Sequence, residues 1–236
     1  MAGIERSTYA ERLTAACVLS TVGVFLDIYT YLYRGKVFAN AVTGNMVLFG
    51  LNLAQLNLLQ CGKYLLAIMF YAGGVFTAEC IHKKISASKR IGWHQFVLVL
   101  EIMCLFPIVF IPCGYVDFMI NAVISFVCAL QVQTFRRVHG LPFASTMCTG
   151  NLRSGTEALF LRLCGNKPAE LDTAIRYYLV IVFFITGAVA GAVLLKFLGH
   201  MGFLLAPIGL MAVFLLLGGK RLLAKGRRLL WTVIRK

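Results

Sequence analysis

Long apolar runs separated by short polar ones set the pattern of this chain. Six of them, 13–33, 64–82, 93–112, 114–135, 174–195 and 201–219, have the length and apolarity of membrane spans, which need roughly 17–25 residues. Two more, 43–59 and 143–163, fit less well. The first is uncharged but holds Asn45, Asn52, Gln55 and Asn57, and the second holds Arg153, Glu157 and Arg162. A charge at the centre of a lipid-facing helix costs about 2.5–3.5 kcal/mol on the insertion scale. The second stretch is therefore not expected to face lipid.

Both awkward stretches open on one tripeptide, Thr43-Gly44-Asn45 and Thr149-Gly150-Asn151, an offset of 106 residues from Thr43 to Thr149. The surroundings repeat as well. Phe38-Ala39 precedes the first and Phe143-Ala144 the second, and each follows a span that ends in basic residues (Arg34 and Lys36; Arg136 and Arg137). Each is followed by a span with small residues, Gly73-Gly74 in one half, Gly187 and Gly191 in the other. The pattern predicts an internal duplication.

Charge sets the topology. If the two TGN stretches re-enter the membrane and only the six clean runs cross, an inside N-terminus leaves Arg34, Lys36, Lys63 and Lys196 outside, and the rest of the 23 Lys and Arg residues inside. If all eight stretches cross, the cluster at 83–90 and the basic tail fall on opposite sides, against the positive-inside rule. Six crossings are predicted. Three per half is an odd number, so the halves are expected to be inverted.

Composition agrees with a membrane protein. Of 236 residues, 60% are hydrophobic and 14% charged, against about 45–50% and about 25% in soluble domains. One soluble core could not hide that much apolar surface, and so apolar a chain is the opposite of a disordered one. A formal charge of +14 would suggest nucleic acid in a soluble protein. Here the basic residues lie between spans and in the tail, so no nucleic-acid partner is expected. The eight cysteines contain no CxxC and read as small buried hydrophobes. No cleaved signal peptide is expected.

Ionisable groups inside spans are rare and are candidates for function. They are Asp27, Glu79, Glu101 and, near a span start, Asp117. Asp27 sits mid-span, and the 106-residue offset places it on Gln133, with Gln131 a half-turn away. Two readings of Asp27 stand side by side: a solute or proton site, and an interhelical hydrogen bond that locks the bundle. Glu101 can carry a proton, or can pair with a bundle partner such as Arg153. Glu79 and Asp117 read as interfacial.

The TGN element has a physical use. Thr43 or Thr149 is expected to N-cap a short helix, with Gly44 or Gly150 leaving its first N–H groups open. Such a helix end offers donors and partial positive charge, and broken helices with such ends hold substrate in many transporters. The plainer reading is a tight turn with close helix contact. Arg153 and Glu157 stand i,i+4 and can neutralise each other. The four histidines are too dispersed for a metal site, and no hydrolase, P-loop or glycosidase pattern occurs. No catalytic residue, metal or cofactor is expected, and the chain is not read as an enzyme. The tail 220–236 reads either as an interfacial amphipathic helix or as a topogenic charge cluster.

Gly23 and Asp27, the run Arg34 to Gly50, and in the second half Ala129 to Arg137 and Thr146 to Arg153, resemble the signature of the YoaK-type bacterial membrane proteins, a domain of unknown function. The resemblance covers about residues 12–219. Ala129, Leu130 and Val132 depart from the residues usual around the family's Gln. The resemblance implies a six-span bacterial inner-membrane protein and supplies no substrate.

The chain is thus expected to be an all-α polytopic membrane protein of six transmembrane helices, arranged as two inverted three-span repeats with a short re-entrant TGN helix in each. The first repeat is 1–112, the second 113–219, and 220–236 a basic cytoplasmic tail. The expected role is a secondary transporter or permease for a small organic, anionic or zwitterionic solute, proton-coupled; the alternative is a non-transporting scaffold. Substrate-binding candidates are Asp27, Thr43, Gly44, Asn45, Glu101, Gln131, Thr149, Gly150, Asn151 and Arg153. Membrane lipids, the solute and a second copy of the chain are the partners considered.

Overall fold

A computed structural model describes residues 2–86, 93–138, 141–142, 148–165 and 167–218. The regular structure of the described residues is helical, apart from a two-residue antiparallel pairing of Arg137–Val138 with Leu141–Pro142. Helix α1 spans Ala2–Tyr33, α2 Val42–Ala54, α3 Leu58–Ser86 and α4 Trp93–Leu105. Helix α5 spans Asp117–Thr134, α6 Cys148–Leu163, α7 Glu170–Leu198, and α8 covers 205–218. The tail at 220–236 and the Phe143-Ala144 pair lie outside the described residues.

The breaks between helices have local causes. Helix α1 stops where Gly35 and Lys36 take positive φ (86° and 63°), a left-handed turn that glycine adopts without strain. Pro107 has no N–H to continue α4, and the chain tightens there into a 3₁₀ turn over Phe106–Phe110. Gly199, with φ 59°, ends α7 and starts a second 3₁₀ turn over Gly199–Leu204.

Among the described residues, five segments are long and apolar enough to cross a membrane: Leu13–Tyr33, Leu58–Lys84, Trp93–Phe110, Asp117–Thr134 and Glu170–Gly218. The last is 49 residues long and takes in the run expected at 174–195 and all but the final residue of that expected at 201–219. Burial differs sharply among them. In the most apolar window of α1 72% of residues are buried and in that of α5 61%, against 22% in α3. Helices α1 and α5 are therefore central, and α3 and α7 are flanks that turn apolar side chains outward. Phe76, Phe110 and Phe197 are all exposed. A helix apolar on both its inner and its outer faces belongs in lipid.

Two flank-to-centre contacts hold the bundle. Helix α3 packs along α5, and α7 along α1. Both rest on glycine. A Cβ on Gly74 would overlap the Phe126 carbonyl oxygen and stand 2.7 Å from the Ala129 Cβ. On Gly187 it would stand 3.0 Å from Thr21, and on Gly191 3.0 Å from the Phe25 ring. Small residues let helix backbones approach, which in lipid supplies much of the association energy. The short helices pack on the flanks, α2 on α3 and α6 on α7.

Candidate functional site

Asp27 is buried on α1 nearly two turns before that helix ends. After the turn at Gly35 and Lys36 the chain doubles back along α1. Asp27 Oδ1 accepts hydrogen bonds from the peptide N–H of Asn40 at 2.7 Å and of Ala41 at 3.4 Å. Helix α2 starts at the next residue, and its N-cap, Ala41, has no side chain able to cap it. A carboxylate from another helix thus holds the entry to α2, where negative charge complements the helix dipole.

This corrects the expectation for the TGN threonines. Thr43 lies inside the first turn of α2 and Thr149 inside α6, both exposed, and neither is the cap. Asp27 takes the place expected of Thr43. The rest of the first tripeptide grips the returning loop. Asn45 is fully buried; its Oδ1 accepts from the Phe38 N–H at 3.0 Å and its Nδ2 donates to the Phe38 carbonyl at 2.6 Å. A Cβ at Gly44 would meet the Phe38 ring at 3.2 Å, and Tyr31 stacks on that ring at 4.8 Å between centroids.

In the second half Asn151 is likewise buried on α6, and Gly155 lies tight against Tyr177 of α7. Gly150 is exposed. Gln131 is buried and donates from Nε2 to the Leu19 carbonyl of α1 at 3.0 Å. Gln133, where the offset placed the counterpart of Asp27, instead hydrogen-bonds Glu79 on α3, beside Arg136 at 3.9 Å from that carboxylate. Arg153 is on the exposed face of α6. Among the described residues it forms an ion pair with neither Glu157 nor Glu101; α6 packs on α7, which leaves Arg153 away from Glu101 on α4. Glu101 is fully buried on α4, and neither carboxyl oxygen has a hydrogen-bond partner.

One cluster was not foreseen. Arg34, read as an outside topological charge, is completely buried. Its guanidinium donates to Asp117 (2.7 Å), to the carbonyls of Ile111 (2.7 Å) and Pro112 (3.0 Å), and to the Tyr29 hydroxyl (2.9 Å). Tyr29 in turn bonds His200 Nδ1 at 2.7 Å, while His200 Nε2 lies 3.0 Å from the Val109 carbonyl. A carbonyl only accepts, so Nε2 carries the proton and Nδ1 accepts from Tyr29. The only sequence signal was that all these residues end spans on one predicted side.

Of the candidates, the structure brings Asp27, Gly44 and Asn45 together around the loop before α2. The Asn121–Arg34 hydrogen bond (2.6 Å) fixes the register of antiparallel α1 and α5. Seven residues further inward on each, Asp27 and Cys128 stand at one level. Cys128 is close enough to feel both Asp27 and Glu101. Thr149, Gly150, Asn151 and Arg153 form a separate group on α6.

A family model described as Protein of unknown function (DUF1275) matches residues 15–217, which takes in all of these residues. The chain belongs to the DUF1275 family. No curated protein and no solved structure matches it. Family membership agrees with the YoaK-type resemblance and adds no substrate.

Proposed function

We propose that this protein is a small secondary transporter of the bacterial inner membrane that moves a small organic anion or zwitterion together with a proton. The observation that carries this is the Asp27 carboxylate on the N–H groups of Asn40 and Ala41. A broken helix begins there, about 9 Å inside the end of α1 at 1.5 Å per residue. Irregular backbone at membrane depth is tolerated where it is buried in protein or lines a cavity, and broken helices at such depth bind solute in other transporters. A solute carboxylate would compete with Asp27 for the same donors. Protonation of Asp27 releases them, which couples proton and solute. No enzymatic chemistry is part of this reading.

The architecture we assign is two inverted three-span halves, with α2 and α6 re-entrant and both termini cytoplasmic. Supporting it, α3–α5 and α7–α1 are matching parallel pairs, each seated on glycine, and α2–α3 matches α6–α7. A straight helix over the 49 residues of Glu170–Gly218 would be about 74 Å long, more than twice the ~30 Å hydrocarbon core. The turn at Gly199 makes two spans of it.

A scaffold role is the second reading, favoured by the commitment of both Asp27 and Asn45 to backbone groups. Uptake into proteoliposomes separates the two. Labelled carboxylic and amino acids and their neutral amides are offered with and without an inward proton gradient. Gradient-driven uptake of an acid, lost in Asp27→Asn at unchanged thermal stability, is expected. A folded protein that takes up none of them is a scaffold.

A further inference from the structure

The buried polar side chains of α5 form a winding line. Asn121, Ser125, Cys128, Gln131 and Thr134 follow one another along the helix and turn through about half of its circumference, each at most 6% exposed. Asn121 Oδ1, Ser125 Oγ, Gln131 Oε1 and Thr134 Oγ1 have no hydrogen-bond partner, and nor has either oxygen of Glu101, which α4 presents beside Cys128. Of the seven such atoms among the described residues, only Gln60 Oε1 lies elsewhere. Buried polar groups without partners are rare and costly, and where they persist ordered water commonly completes them. Four of these atoms lie along α5 and two on Glu101.

The line runs between two charged clusters. At the outer end Asn121 Nδ2 donates to the Arg34 carbonyl, and Arg34 pairs with the partly exposed Asp117. At the inner end Thr134 follows Gln133, which bonds Glu79 beside Arg136, both half exposed or more. From Asn121 to Thr134 is about 20 Å of helix rise, two thirds of the ~30 Å hydrocarbon core. The arrangement also selects the ion. Ser125 and Gln131 are about 9 Å apart along the axis, so these oxygens cannot converge on one cation as a coordination shell requires. A line suits water and protons.

We propose that Glu101 is a second proton-binding site, distinct from Asp27, reached from both membrane faces through a hydrated track along α5. This deepens the transport reading, which it needs only to say what the proton drives. The titratable groups within electrostatic reach of Glu101 are Cys104 on its own helix and Cys128 of α5, and Cys128 in turn is within reach of Asp27 of α1 and Tyr71 of α3. No cationic side chain among the described residues acts on it. Glu101 takes a proton from water at one end, becoming a carboxylic acid, and returns it to water at the other; no other bond changes.

Infrared difference spectroscopy on the full chain in lipid bilayers tests this with the proton alone as probe. The expected result is a carboxylic-acid carbonyl band that changes with buffer pH and shifts promptly in D₂O. It is lost in Glu101→Gln, displaced but present in Glu101→Asp, and kept in Asp27→Asn. Ser125→Ala with Thr134→Val slows the D₂O shift severalfold. The proposal is overturned if no band assigned to Glu101 changes with pH, if that band does not exchange, or if sodium at constant pH moves it. Should Glu101→Gln not fold, the Glu101→Asp displacement decides the assignment. A titrating, exchanging Glu101 in a protein that takes up no solute supports the site and overturns transport alone.

Discussion

Arg34 and Asp117 meet at 2.7 Å across 83 residues of sequence, with the arginine side chain wholly out of solvent and the aspartate one-fifth exposed. Three chain segments close over this pair: the end of α1, the turn between α4 and α5, and the turn between α7 and α8. Arg34 gives its planar fork to one carboxylate, two backbone carbonyls and a tyrosine, a set a lysine cannot reproduce.

Removing that side chain leaves a carboxylate and two carbonyls unpaired. Arg34→Ala is expected to destabilise the protein by about 3–5 kcal/mol, Arg34→Lys by less, and Asp117→Asn least, since Asp117 still reaches water. Thermal unfolding in mild detergent ranks the three. Equal stability for Arg34→Ala and wild type would mean that the cluster does not hold this end of the bundle together.

The two polar residues of the first TGN element should behave oppositely. Asn45→Ala removes two hydrogen bonds to Phe38 and leaves buried backbone groups unsatisfied, at about 1–3 kcal/mol for each group. Thr43→Ala touches an exposed side chain that caps nothing, so a change within about 0.5 kcal/mol is expected. A larger loss at Thr43 than at Asn45 would restore the threonine as the cap.

Neighbouring glycines of α3 give a sharper contrast. Gly74→Ala drives a methyl into the Phe126 carbonyl and the Ala129 side chain, with a cost of about 1–3 kcal/mol from overpacking. At Gly73 an added methyl meets nothing within 4 Å. Gly73→Ala should be neutral or stabilising by up to about 1 kcal/mol through helix propensity. Denaturation in detergent reads both, and similar losses at the two positions would contradict the α3–α5 contact.

Cys113, in the turn between α4 and α5, reports topology and pH together. Burial pushes its thiol up, more than the nearby Arg34 pulls it down. At a given pH less of it is thiolate, the reactive form. In a variant keeping only this cysteine, an impermeant maleimide added to intact cells should label slowly at neutral pH and faster as pH rises above the usual thiol range. Single cysteines at Lys83 and Lys220 should label only from the other face. Opposite faces for those two would end the six-span arrangement.

Which residues sit in the membrane was legible from composition and run length, because burying apolar surface is additive along the chain and needs no partner to be known. The need for a special structure at Thr43-Gly44-Asn45 was legible too, since polar side chains within an apolar stretch require partners. Which partner each would take was not. Thr43 is a good capping residue by type, yet Asp27 arrives from α1 and takes the role. Arg153 was one of the partners open to Glu101, but a helix's packing face is chosen by its neighbour, and α6 lies on α7 with Arg153 outward.

The sequence by itself determined the helical, lipid-facing class of this protein, its family, and the glycines on which helices meet. Those follow from local chemistry: hydrophobicity, backbone conformation and residue volume act at each position wherever the chain goes. Only the tertiary structure decided that Arg34 is a buried hub rather than a surface charge, that Asp27 grips the loop before α2, and that Glu101 stands unpartnered beside a polar line on α5. Hydrogen bonds and ion pairs act over about 3 Å, so they depend on which distant residues the packing of α1, α4 and α5 brings within that reach.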